Sequence, residues 1–283
     1  MPVIGTPLSR EKLLETARSL PADLEVLSTL GEMLQDVNAE LDAIASLLRR
    51  DLALAARIVR ISNSPLFGGR VSSVEEAVNR VGFGEILRLV GTATTGRFAD
   101  RALEHYGITA LQLRDNMLYT AFACEELARQ AGGDVRMAYT AGLLRPIGFM
   151  VLDRAARGRI PPRETFEPKR WGNYRIWEGS FLGIGHAEVA GLVLDEWHFP
   201  KPMGAALRAH YLSHQADASQ PLALLLNLAG TLTGAAGHAF EGETDHWLLT
   251  PEKLAAAGLT EEQLSHAAEA AGQAFDRAVA LLR

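Results

Sequence analysis

Apolar positions along this chain recur at helical spacing in nearly every segment, and almost nowhere do they alternate as in a half-buried strand. Ser9 can cap a helix whose Leu13, Leu14, Ala17 and Leu20 share one face before Pro21 ends it. Leu24, Leu27, Leu30 and Leu34 repeat that stripe, and Leu41, Ile44 and Leu48 make another. Asp51 is placed to cap a helix carrying Leu54, Ile58 and Ile61, which Asn63, Ser64, Pro65 and Gly68-Gly69 stop. Ser73 and Glu76 form a capping box ahead of Val74, Ala77, Val78 and Val81, and Gly82 and Gly84 turn a tight corner into Ile86 to Val90. The pattern predicts an all-α chain.

Residues 138–152, AYTAGLLRPIGFMVL, are nearly continuously apolar and read as a buried helix, too short to cross a bilayer. Arg145 and Pro146 interrupt it. Proline inside a helix removes a donor and clashes with the preceding turn, so the helix should kink or restart there. The guanidinium needs a carboxylate, a phosphate or water, which predicts that this point faces a cleft or a partner.

Further on, Pro202 begins a helix on which Met203, Ala206, Leu207, His210, Tyr211 and His214 share the apolar face. His210 and His214 are four apart, a spacing that can put two imidazoles on one metal, with His186 and Glu188 as further ligands. The plainer reading is core histidines bonded to backbone or to Tyr211. Cys124, in the apolar stretch 119–127, reads as a packed thiol rather than a nucleophile. Pro221 opens an apolar helix, residues 237–245 read as a polar loop, and Thr250-Pro251 starts a short helix ended by Gly258. Thr260 with Gln263 caps a last helix with Leu264, Ala267, Ala268, Ala271, Phe275, Val279 and Leu282 on one side. That alanine-rich side either seals the bundle or pairs with a second copy.

Composition narrows the function classes. The chain has 283 residues, 48% of them apolar, enough for a sizeable core. A net charge of −6 argues against a dedicated nucleic-acid or anionic-membrane protein. A single cysteine excludes intrachain disulfides and suits a reducing cytoplasm, and neither a leader nor a membrane span is expected. Against the overall charge, residues 154–175 hold seven cations and two glutamates, a local charge of +5. Arg157, Arg159, Arg163, Lys169 and Arg170 lie beside Trp171, a mixture that can grip a phosphate backbone or an acidic protein surface. A solvated connector pinned by its tryptophans is the alternative. A helix-turn-helix at Val74 to Thr95 is poorly equipped for DNA, with Arg88 as the only cation on its second helix.

Asp51 to Gly68, DLALAARIVRISNSPLFG, followed by VSSVEEAVNRVG ending at Gly82, resembles the HDOD family of bacterial signalling modules, relatives of HD-type metal phosphohydrolases. The likeness resumes at Ala141 to Leu144 with Ile147-Gly148, at Gly185 to Ala190, and at Trp197, Pro200 and His210, and spans about Leu20 to His214. Leu52 departs from the family's usual proline.

An active HD phosphohydrolase is expected to hold metal through a histidine, a His-Asp pair and a distal aspartate. The resemblance puts Asn116, Arg145-Pro146 and Asn227 at those positions, which implies a dismantled site without metal or cofactor. It implies an all-α fold of two packed helical lobes. An N-terminal helix (1–19) precedes a family domain (20–215) made of an N-terminal lobe (20–110) and a degenerate HD-like lobe (111–215). A C-terminal extension (216–283) packs on the latter. The expected function is a non-catalytic, cytoplasmic regulatory module that binds a signalling partner, such as a sensor kinase or second-messenger regulator. No nucleic acid or membrane is expected, and a homodimer stays open. Two alternatives remain: a divergent phosphohydrolase using His186, His210 and His214, and a sensor of a small anion in a remnant cleft lined by Arg145, His186, Glu188, His210 and His214.

Overall fold

The structure, a computed structural model, describes residues 7–20, 44–45, 48, 52–63, 71–98, 101–161 and 164–282. The expected stripe from Leu24 to Leu34, Leu41, the Asp51 cap, the Gly68-Gly69 stop and Arg163 lie outside those residues. The described helices are α1 (Arg10–Arg18), α2 (Leu52–Ser62), α3 (Val74–Phe98), α4 (Ala110–Ala131), α5 (Val135–Leu144), α6 (Ile147–Ala156) and α7 (Pro168–Trp171). They continue with α8 (Tyr174–Phe181), α9 (His186–Glu196), α10 (Lys201–Ala209), α11 (Pro221–Ala235), α12 (Pro251–Ala256) and α13 (Glu261–Leu282). Short 3-10 turns at Glu104–Tyr106, Gln215–Ser219 and Glu241–His246 join some of them. Among the described residues the chain is all-α, with one isolated bridge between Leu103 and Ile108.

Local chemistry sets the helix ends. Ser9 accepts from the Lys12 amide at 3.2 Å, and Ser73 from the Glu76 amide at 3.2 Å. Glu76 reaches back one residue further than a standard box, accepting from the Ser72 amide at 2.6 Å. Thr260 and Gln263 complete the box of α13. The glycine corner is a break inside α3, where Gly82 adopts φ 79°, a conformation costly for any residue with a Cβ.

Helix α4 is the central strut. It packs against α5, α11 and α13, while α9 packs against α6 and α10. The alanine-rich side of α13 lies along α4, with Phe275 against Tyr119 at 5.6 Å. Two glycines allow backbone to approach backbone at helix crossings. A Cβ on Gly142 would lie 2.7 Å from the Thr120 carbonyl oxygen, and one on Gly148 1.9 Å from that of His186. The second crossing brings α6 against the start of α9 and so fixes His186. Helix α1 straps α6 and α9, with the Leu8 amide donating to the Leu182 carbonyl at 3.0 Å and Arg18 paired with Glu196. No described helix is long and apolar enough to cross a membrane.

Candidate functional site: a buried polar cluster at the α5–α6 break

The restart at Arg145-Pro146 occurs where the sequence predicts it, with α5 ending at Leu144 and α6 beginning at Ile147. The direction of Arg145 is a correction. Its side chain faces neither a cleft nor a partner, but lies 1% exposed inside the chain. Its Nη1 and Nη2 donate to the Glu243 carboxylate, Nη2 to Oε2 at 3.2 Å, and Nη2 also donates to Asn116 Oδ1 at 2.6 Å. The rings of Phe240 and Trp247 cover it, with centroids at 5.6 and 5.5 Å. Burial pushes the guanidinium pKa down, but the charge and hydrogen bonds of Glu243, with Tyr211 and Cys124 beside it, together outweigh that and the net direction is up.

Glu243 also accepts from the Tyr211 hydroxyl, whose oxygen lies 2.5 Å from His186 Nε2. His186 Nδ1 sits 2.8 and 2.9 Å from the two oxygens of Glu178, which also accept from the Tyr106 hydroxyl at 2.7 Å and the His186 amide at 3.0 Å. The Tyr211 hydroxyl has one proton and stands between two neighbours, Glu243 and His186 Nε2. A single line of hydrogen bonds thus runs from Tyr106 through Glu178, His186, Tyr211, Glu243 and Arg145 to Asn116. Phe149 stacks on His186 at 3.7 Å and holds the ring in plane.

His210 stands beside this line, fully buried. Its Nδ1 donates to the Leu207 carbonyl at 2.6 Å, while Nε2 has no hydrogen-bond partner. Burial, reinforced by the charge of Arg145, pushes its pKa well down, so the ring is neutral. Asn227 donates to the His210 carbonyl at 2.9 Å, and Asn116 to that of His238 at 2.8 Å.

An open cleft of about 600 Å³ lies on the other side of Tyr211. His186, Glu188 and His214 line it with Arg175 and Arg208, whereas Arg145 and His210 are not part of its wall. The five residues expected to share one cleft are therefore split between a closed interior and an open face. His214 leaves the predicted helix face because α10 stops at Ala209 and Leu212 turns to φ 51°. Residues 237–245 are not simply a polar loop, since they contain a 3-10 turn that delivers Glu243, fully buried, to Arg145.

Comparison with known proteins fits these observations. The HDOD domain family matches residues 20–213. This chain belongs to the HDOD family. An HDOD domain protein of unknown function from Geobacter sulfurreducens superposes with TM-score 0.71 at 20% identity, covering 96% of this chain and 98% of that one. A candidate signal transduction protein from Marinobacter aquaeolei VT8 gives 0.65 at 21%, covering 96% and 64%. A phosphohydrolase candidate from Shewanella amazonensis SB2B gives 0.65 at 20%, covering 95% and 98%. These likenesses are of fold alone. An uncharacterized protein of Treponema pallidum (strain Nichols) is 25% identical over 201 residues, which is 69% of this chain but 38% of the relative's length.

A metal centre of the HD phosphohydrolase kind does not fit the residues of this HDOD chain. The position that resemblance gives to the His-Asp pair holds a guanidinium and a proline. The Asn116 amide is committed to Arg145 and to His238, and the Asn227 amide donates to backbone carbonyls. Of the ligand set of the HD type, these positions supply two amides, a guanidinium and a proline, and no carboxylate or imidazole.

Most of the basic segment is tied to the protein itself. Arg154 donates to the Ser19 carbonyl at 2.8 Å, Arg157 lies 3.9 Å from Asp153, and Arg170 pairs with Glu164 at 2.8 Å and stacks over Trp171 at 4.9 Å. Trp171 is buried, whereas Arg157, Arg159, Lys169 and Arg170 reach solvent. Arg88 is held bidentate by Glu125 at 3.0 and 3.1 Å and by Glu85 at 2.8 Å, so it is committed to carboxylates of the chain itself. Cys124 is buried, and its thiol is pushed up out of reach of the thiolate.

Sequence reasoning missed Glu243, Glu178 and Tyr106 as members of the cluster. Its partners lie far apart in sequence, and no periodicity links them.

Proposed function

We propose that this HDOD protein is a non-catalytic regulatory module that works by binding a protein partner. The observation that carries the reading is the Arg145 guanidinium, salt-bridged to Glu243, at the position where a phosphohydrolase of this fold would hold its metal-binding pair. A hydrolase needs an open metal position for water, and here a closed ion pair fills the space. The exposed cations Arg157, Arg159, Lys169 and Arg170, set around the buried anchor Trp171, offer a surface for an acidic partner. Purified protein with manganese or magnesium should turn over neither simple phosphomonoesters, phosphodiesters nor nucleotides above the buffer blank. Turnover that disappears in His186→Ala or His210→Ala would overturn the reading. A partner complex held by the basic segment should weaken as salt is raised.

The open cleft favours a second reading, the sensing of a small anion. Arg175 and His214 face it, and Arg175 is held by one bond, to Ser213 Oγ at 3.2 Å. A rise in melting temperature with inorganic phosphate, lost in Arg175→Ala, is the outcome that supports it.

A further inference from the structure

The buried cluster holds two imidazoles and a carboxylate in an arrangement that none of the four degenerate positions contributes to. His186, His210 and Glu243 each offer one ligand atom, and these atoms lie within 4.8 Å of one another. All three residues are buried. The geometry points to a mononuclear site for a divalent transition ion of the zinc class, formed by His186 Nε2, His210 Nε2 and a Glu243 oxygen, with the Tyr211 oxygen as fourth ligand. It goes beyond the regulatory reading and does not depend on it.

Three observations support this assignment. The first is orientation. A metal-binding histidine ordinarily donates its other ring nitrogen to a carbonyl or a carboxylate, which fixes the tautomer and aims the lone pair. His210 Nδ1 is bonded to the Leu207 carbonyl at 2.6 Å and His186 Nδ1 to the Glu178 carboxylate at 2.8 Å, so both Nε2 atoms are the ones left to face the centre. The second is the vacant valence of His210. Its Nε2 has no hydrogen-bond partner in a fully buried position, an unfavourable arrangement that a bound ion would relieve. The third is Tyr211, whose oxygen lies 2.5 Å from His186 Nε2 and also bonds Glu243. Protons bridge those three groups where an ion could bridge them instead.

The required movement is small. A tetrahedral ion at about 2.1 Å from each ligand places them roughly 3.4 Å apart, so the His186, His210 and Glu243 atoms close by at most about 0.8 Å, while the Tyr211 oxygen, now 2.5 Å from His186 Nε2, draws back by about 0.9 Å. Arg145 does not have to leave. Glu243 has two oxygens, and Oε2 can keep its 3.2 Å bond to Nη2 while Oε1 turns to the ion and Nη1 gives up its bond to that oxygen. On binding, the proton shared by His186 and Tyr211 goes to solvent. Imidazole and carboxylate ligands without thiolate suit zinc, cobalt or nickel over copper(I), and four protein ligands leave no position open for water, which matches a structural or sensing ion rather than a catalytic one. Such an ion would tie the 3-10 turn at Glu241–His246 to the start of α9 and the end of α10. Glu243 lies beyond residues 20–213, so the site joins the family domain to the C-terminal segment.

The test uses the whole chain with zinc or cobalt chloride alone. After dialysis against micromolar metal, one ion per chain should remain, and the melting temperature should rise with metal. His210→Asn keeps a donor for Leu207 but has no Nε2, and should abolish retention. Glu178→Gln should weaken affinity about 10–100-fold, the range for losing such a supporting carboxylate. His266→Ala, on the exposed side of α13, should bind as wild type. If His210→Asn does not fold by circular dichroism, the visible spectrum of wild-type protein with cobalt decides. Intense absorption of four-coordinate nitrogen and oxygen ligation supports the site. The weak spectrum of six-coordinate cobalt, no retained ion, or retention unchanged in folded His210→Asn overturns it.

Discussion

Arg145 and Arg88 both pair with a glutamate from a distant part of the chain, yet they sit in opposite settings. Arg145 and Glu243 have side chains 1% exposed, whereas the Arg88 side chain is 34% exposed beside a Glu125 side chain at 7%. Water can take over part of the work at Arg88. At Arg145 it cannot, so acceptors must come from within the protein: Nη1 and Nη2 find them, and Nε is left without one. The contrast shows that a buried charge acts mainly as a constraint: it specifies which carboxylate must be present more than it adds stability.

That difference can be broken in several ways. The largest effect is expected for Glu243→Ala, which leaves a guanidinium buried without a counter-charge and should cost about 3–5 kcal/mol in urea unfolding. The double variant Arg145→Met with Glu243→Leu should recover most of that loss. A single variant costing under about 1 kcal/mol would show that water reaches Arg145 after all. Next comes Gly148→Ala. Its Cβ would meet the His186 carbonyl, and the forced separation of α6 from α9 should cost about 1–3 kcal/mol or more.

Acid sharpens the contrast through His210. Its folded pKa is depressed below the ordinary value of about 6.5, so above that pH both folded and unfolded chains hold it neutral. Below it the unfolded chain takes up a proton that the folded one refuses. Stability should therefore fall as pH drops from about 6.5 towards the folded pKa, by up to about 1.4 kcal/mol per pH unit from this group. His210→Asn should flatten that part of the profile, and an unchanged profile would remove His210 from the account. The smallest effect belongs to the edge. Glu125→Gln should cost on the order of 1 kcal/mol, and the loss should shrink further in high salt.

The helices were largely legible from the sequence because the signals that make them are local. Ser9, Ser73 and Thr260 each cap the adjoining helix, and Pro146 divides α5 from α6 as its missing donor requires. The need of Arg145 for a counter-charge was legible too, but its source was not. Glu243 is 98 positions away and sits in a stretch with the composition of a loop. Its burial follows from Phe240 and Trp247 closing over the guanidinium, which no spacing rule encodes. His214 was misplaced because helical periodicity carries no notice of the left-handed turn at Leu212, a residue with no special freedom there.

The Arg145–Glu243 pair also bears on where this protein can be cut. Sequence likeness to the family ends at residue 213, but the anion that neutralises Arg145 arrives thirty positions later. A fragment trimmed to the family boundary would carry the whole recognisable signature and still strand a cation in its own interior. The stretch that the family shares and the stretch that neutralises its own buried charge have different edges in this molecule.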